Sequence, residues 1–154
     1  TYALLKKLKG ITLLRNKKNI GVGKTLNRLY GELKSDYHVI LSSDDYFYPE
    51  IKDAAKAIDG TDLVYFDMVN NAGKRWDMAN MDIVKYSQST KFIRNEFFKG
   101  IVTNGSNYKE DVSVMTQIVT KNPTVKYTSI LGKHYNHPRE GSLSWHGRRG
   151  NVKV

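Results

Sequence analysis

Four short runs rich in β-branched and aromatic residues, at 11–14, 38–41, 63–68 and 125–130, have the length and composition of strands. Between them, apolar residues recur at helical spacing. Ala3, Leu4, Leu5 and Leu8 predict a helix ending at Gly10, Leu26, Leu29, Tyr30 and Leu33 predict a second, and Ile51, Ala54, Ala55 and Ile58 predict a third that stops by Gly60. Residues 92–98 read as a short amphipathic helix. Val112, Met115, Ile118 and Val119 form the apolar stripe of a longer one that must end before Pro123. The stretch 70–89, with Gly73 and several asparagines, reads as loop with a strand at 83–86. Alternating helix and strand predict an α/β fold, a mostly parallel sheet flanked by helices, in which ligands gather at the carboxyl ends of strands.

Length and composition narrow the classes. The 154 residues, 40% of them apolar, suit one domain spanning 1–154, with an irregular basic tail over 136–154. With no cysteine, disulfides, thiolate metal sites and a cysteine nucleophile are excluded, so any metal must sit on oxygen or imidazole. No run of about eighteen apolar residues and no apolar signal core occurs, which predicts a soluble, cytoplasmic chain without a transmembrane segment. The net charge of +10 is unevenly spread. Residues 1–34 hold nine Lys or Arg against Glu32 alone, 121–154 hold seven against Glu140 alone, and the stretch between holds nine against thirteen acids. Basic ends attract polyanions: nucleic acid, the anionic membrane surface at the cytoplasmic face, or a diphosphate substrate.

Candidate chemistry begins where the run 38–41 leads through Ser42 and Ser43 into Asp44 and Asp45, then Tyr46, Phe47, Tyr48 and Pro49. Carboxylates at a strand's end hold hard divalent cations, which take oxygen ligands and keep positions open for water and phosphates. The plainer alternative is that one of the pair caps the helix after Pro49. A second acidic pair, Glu110 and Asp111, precedes the stripe beginning at Val112. Acids in a helix's first turn are stabilised by the dipole, by about 0.3 to 1 kcal/mol each, without any further role.

Taken in order, these segments resemble the family-2 glycosyltransferases of GT-A fold, whose pattern is an apolar strand, an Asp-x-Asp or Asp-Asp metal motif, one or two aromatic residues, then proline and a helix. The resemblance implies that Asp45 ligates Mn or Mg bound to the nucleotide diphosphate, and that Asp44 lies near the ribose and phosphates. Upstream, Asn19, Gly21 and Asn27 match the family's Asn-x-Gly segment ending in Ala-Arg-Asn, with Leu26 where the family has arginine; Asn19 and Asn27 are thereby implied in nucleotide binding. Lys91, Arg94 and Phe97 fall in a stretch like the family's Lys-x-x-Arg-x-x-Phe, which leads to a Glu-Asp pair. By that match Asp111 is the base that deprotonates the acceptor hydroxyl, and Glu110 its neighbour. The stretch from His134 to His146 resembles the family's late Tyr-x-Tyr, Arg, Gly-Ser segment, with His137 completing the metal shell and Arg139, Arg148 or Arg149 pairing with phosphate.

The implied reaction is inverting, metal-dependent transfer of sugar from a nucleotide-diphosphate donor to the hydroxyl of a saccharide, lipid-linked or protein acceptor. The match covers roughly residues 3 to 145 and contains no counterpart of the family's opening Val-Ile-Ile-Pro-x-Tyr-Asn strand, so a GT-A unit truncated at its N-terminus is expected. Two other readings come from the residues themselves. Gly21-Val-Gly23-Lys24-Thr25 after an apolar run suits a P-loop nucleotide-binding protein, but Lys18 stands where the phosphate cradle needs glycine. Basic ends and ten tyrosines suit a non-catalytic nucleic-acid-binding module, although the tyrosines are scattered rather than paired on one strand.

Overall fold

The computed structural model describes residues 2–80, 88–103 and 109–137. In chain order the elements are α1 (Tyr2–Leu5), α2 (Val22–Tyr30), β1 (Tyr37–His38), β2 (Tyr46–Phe47), α3 (Ile51–Lys56), β3 (Leu63–Asn70), β4 (Arg75–Trp76), β5 (Lys91–Arg94), α4 (Glu110–Val119) and β6 (Val125–Tyr135). Short 3-10 turns lie at Met78–Asn80, Gln88–Thr90 and Asn95–Phe98. The sheet order is β1-β5-β3-β6-β2, with β4 paired to β3.

The α/β class and the helix-flanked sheet are as expected, but the strand directions are more mixed. Strands β3 and β6 pair in parallel, whereas β5 runs antiparallel to both β1 and β3, β2 antiparallel to β6, and β4 antiparallel to β3. Thus β1, β3 and β6 share a direction while β5 is inserted in reverse between two of them. The segment expected as a helix at 92–98 supplies that strand and the 3-10 turn after it. So short a segment, with Phe92 and Ile93 between two charged residues, fits either state locally, and pairing with Leu63, Val64 and Tyr65 decides for strand.

Residues 11–14 form no strand, and Ile11 stands 49% exposed. The run 38–41 contributes only its first residue to β1. Conversely, β6 continues past residue 130 to Tyr135. It uses eleven residues beside the eight of β3, with irregular register on either side of Asp67. Such bulges re-aim the side chains beyond them. At Gly132 a Cβ would lie 2.7 Å from Phe66 Cδ2 and 2.9 Å from Ile51 Cδ1, so glycine is what lets α3 and β3 close against β6. The expected strand at 83–86 lies outside the described residues, as does the tail from residue 138.

The sheet is covered on both faces. On one, Leu63, Tyr65, Met68, Ile93 and Phe98 pack with Val114, Met115 and Ile118 of α4; Met115 and Ile118 belong to the expected stripe, while Val112 and Val119 are only half-buried and Val114 takes their place in the core. On the other, Val64, Phe66 and Phe92 pack with Ala54, Ile51 and Ile58 around α3. Each fully buried aliphatic or aromatic side chain contributes about 1.5–3 kcal/mol. Ten residues of β3 and its α4-side neighbours therefore form a rigid floor beneath the acidic segments.

Candidate active site

The turn after residue 41 carries Asp45 over the end of β6. Asp45 Oδ2 lies 2.8 Å from Lys133 Nζ, each side chain only 2% exposed, and Asp45 Oδ1 accepts the Asn136 N–H at 2.9 Å. Lys133 Nζ also donates to Ser89 Oγ and sits 5.5 Å above the Tyr135 ring. Burial draws the Lys133 ammonium below its ordinary pKa, while the hydrogen bond and charge of Asp45, then the charge of Asp44, draw it back up. Neither aspartate caps the following helix: the residue before α3 is Glu50, and it makes no side-chain cap.

The second acidic pair opens α4, after Lys109 in a left-handed conformation with φ of 58°. Glu110 is half-buried; burial raises its pKa, a backbone hydrogen bond opposes this, and Asp111 adds to the rise. Asp111 Oδ1 accepts the Val112 N–H at 2.9 Å. Tyr30, at the end of α2, donates its hydroxyl to Gln88 Oε1 at 2.7 Å. Burial pushes Tyr30 up to about 12, partly offset by that hydrogen bond, with further increases from Glu110 and Asp111.

Lys91 is a second buried lysine on the α4 side of the sheet. It is fully buried at the start of β5, opposite Tyr65, with Nζ 4.7 Å above the Tyr65 ring and 3.7 Å from Met115 Sδ. Burial pulls it down to about 7, Asp111 pulls it upward and Lys133 downward, so it lies within electrostatic reach of both. Asp45 and Lys133 thus form a buried ion pair, and Lys91, packed against Tyr65 and Met115 on the α4 side of the sheet, lies within electrostatic reach of Lys133 and Asp111. Lysine is almost never fully buried without a partner, and charges removed from water act on one another far more strongly than at a surface. The 3-10 turn feeding β5 is buried as well: Gln88, Ser89 and Thr90 are 2%, 2% and 0% exposed.

The remaining described residues singled out from the sequence have partners of their own. Asn19 Oδ1 accepts the Gly21 N–H at 2.9 Å, shaping the turn into α2. Asn27 Oδ1 accepts the Thr103 N–H at 2.6 Å, and its amide donates to Thr103 O at 3.5 Å, tying α2 to the segment before α4. His137 is 5% exposed and stacks on Tyr135 with centroids 5.1 Å apart. Arg139, His146, Arg148 and Arg149 lie outside the described residues. A P-loop requires a strand ahead of Gly21, and residues 11–14 do not form one. A cavity of about 700 Å³ beside Tyr37, Arg94 and Asn95 is lined by none of Asp45, Lys91, Asp111 and Lys133.

The expected divalent cation meets an obstacle here. Both oxygens of Asp45 are engaged, one of them by an ammonium. Among the described residues no group of three His, Asp or Glu is placed to hold a metal.

No family model and no curated protein matches the sequence. Solved structures do. S. aureus TarS 1-349 in complex with UDP-GlcNAc superposes with a TM-score of 0.78 over 99% of this chain and 49% of that one, at 20% identity. The chain has a glycosyltransferase-type fold. TarS 1-349 without that ligand gives a TM-score of 0.65 over 75% of this chain and 40% of that one, at 21% identity. The UDP complex of TarS 1-349 gives 0.62 over the same shares, at 20% identity. The chain therefore spans less than half the length of these TarS structures. No helix among the described residues is long and apolar enough to cross a membrane.

Proposed function

We propose that this chain carries the catalytic part of a glycosyltransferase that moves a sugar from a nucleotide-diphosphate donor to an acceptor hydroxyl. The observation that carries this reading is the fold shared with TarS, a protein solved with UDP-GlcNAc and UDP, together with the buried Asp45–Lys133 pair at the end of β6. Negative charge develops on the diphosphate as its bond to the sugar breaks, and fixed cations in a low-dielectric site stabilise that charge without reorganising.

Asp111 is the group suited to the other half of the reaction. It takes the proton of the acceptor hydroxyl, whose oxygen forms a bond to the anomeric carbon. The bond to the diphosphate breaks, its electron pair leaves with the phosphate oxygen, and configuration inverts in one displacement. Glu110, its carboxyl raised by burial, flanks the acceptor side. Asp44 and the α2 entrance at Asn19 and Asn27 belong on the donor side. Saccharide, lipid-linked and protein hydroxyls all suit this chemistry, and the basic segment 1–34 suits an anionic membrane surface as a docking partner. A Mn or Mg ion would supply charge neutralisation of the leaving diphosphate, with Asp45, Asp44 and His137 as its expected holders. The arrangement of Asp45 does not suit it, and no step above depends on one.

The test is calorimetric titration of the chain with UDP, UDP-GlcNAc and other nucleoside diphosphates, followed by a turnover assay with any donor that binds. Saturable binding of at least one nucleoside diphosphate and release of that nucleotide with acceptor present are expected. Binding instead to generic DNA or RNA, with steep salt dependence and no nucleotide affinity, would replace this reading with the nucleic-acid module.

A further inference from the structure

An ammonium 2.8 Å from Asp45 Oδ2 occupies the ground a dication would need. The pair is enclosed, since both side chains are 2% exposed. It is also held in place from several sides. Asp45 Oδ1 accepts the Asn136 N–H, the Asp45 N–H donates to Ser42 O at 3.1 Å, Lys133 donates to Ser89 Oγ, and the Tyr135 ring lies beneath the ammonium. A metal on Asp45 would have to displace this ammonium into an interior that already holds Lys91, or sit against it. Two like charges a few ångströms apart in a poorly solvated interior repel strongly. Removing one partner from a buried pair leaves an uncompensated charge.

We infer that the Lys133 ammonium stands in for the divalent cation beside Asp45, so that this chain binds the diphosphate of its nucleotide without metal. The inference rests on the glycosyltransferase reading and deepens it. Lys133 is a positioning residue: Asp45 fixes it at the end of β6, where it supplies positive potential on the face where the leaving phosphate gathers charge. A resident cation of this kind needs no recruitment with each donor molecule, and Asp45 acts through Lys133 rather than through a metal.

Two measurements test it on the full chain. Free Mn2+ is followed by electron paramagnetic resonance during titration of the parent, Lys133→Arg, Lys133→Met and Lys133→Met with Asp45→Asn. UDP affinity is measured by calorimetry in EDTA and in Mn2+. The parent and Lys133→Arg are expected to take up no stoichiometric Mn2+, and to bind UDP with equal affinity, within about twofold, in both buffers. Lys133→Met is expected to gain Mn2+ binding that disappears when Asp45→Asn is added, and to bind UDP at least about tenfold more weakly in EDTA than in Mn2+. Stoichiometric Mn2+ uptake by the parent, or UDP binding by the parent that requires Mn2+, overturns the inference and leaves the glycosyltransferase reading standing. Failure of the parent to bind UDP or any other nucleoside diphosphate in either buffer overturns both. The parent measurements decide the matter even if Lys133→Met does not fold.

Discussion

Asp45 and Asp111 are the same residue type on the same side of one sheet, yet their surroundings differ. Asp45 is enclosed with an ammonium at 2.8 Å and a backbone N–H on its other oxygen. Asp111 lies in the first turn of α4, accepts the N–H of its immediate neighbour Val112, and is within electrostatic reach of the buried Lys91. The first setting fixes a carboxylate. The second places one in a helix's first turn, where the proposed transfer needs its base. The difference teaches that an acidic motif does not reveal its work by composition: the partner supplied by a distant strand decides whether the carboxylate is anchored or reactive.

The sharpest way to break the comparison is to remove the anchor. Asp45→Ala leaves Lys133 buried beside no carboxylate and is expected to cost about 3–5 kcal/mol of stability, read from urea unfolding. Asp45→Leu combined with Lys133→Met should recover most of that loss, because matched apolar groups replace a buried pair at little cost. A loss below about 1 kcal/mol for the single variant would mean the pair is solvated in solution. Asp111→Asn should behave in the opposite manner. Turnover is expected to fall about 10²- to 10⁴-fold, with UDP affinity within about twofold of the parent and unfolding within about 0.5 kcal/mol. Equal turnover in Asp111→Asn and parent would remove it from the base's role.

Lys91 gives a smaller, pH-dependent effect. It loses its proton near pH 7 when folded and near 10.5 when unfolded, so between those values the unfolded chain binds more protons and stability rises with pH. Lys133 is shifted the same way, while Tyr30, pushed up to about 12, opposes the trend only above its ordinary value of 10. Urea midpoints measured from pH 7 to 9.5 should therefore climb in the parent, and Lys91→Met should remove the greater part of the slope. A flat parent profile would show that Lys91 keeps its charge in the fold. Smallest of the four, Asn27→Ala removes the acceptor for the Thr103 N–H and should cost about 1–3 kcal/mol. If that tie positions α4, turnover should fall more than UDP affinity.

Much of the frame was legible in the amino-acid pattern because it rests on local signals. The apolar run at 63–68 is buried on both faces of the sheet, and Met115 and Ile118 of the expected stripe join the core on one of them. What escaped was decided by pairing at a distance. Ile11 to Leu14 have strand composition but no neighbouring strand among the described residues, and the stretch 92–98 has helical spacing, but its first residues pair with β3. Gly132 and Lys133 interrupt the apolar character of β6, which hides its last residues. The acids were visible because adjacent carboxylates beside an apolar run are unusual. The lysines were not: lysine in a sequence signals solvent, and only the inward position of Lys133 in an otherwise buried strand end marked it. The buried polar stretch Gln88 to Thr90 had no sequence signal beyond its closeness to Lys91.

The parallel alignment of β3 with β6 also governs how the molecule comes into being. The bonds joining Asp62 to Thr124 span 62 residues, and the contact between Asp45 and Asn136 spans 91. Closing segments of that length costs entropy before any contact rewards it, so the middle of the sheet is the slow part to assemble. During vectorial synthesis β3 emerges while β6 is still inside the ribosome, leaving its flank exposed to whatever meets it. The Asp45–Lys133 pair therefore forms late, when β6 docks beside β3.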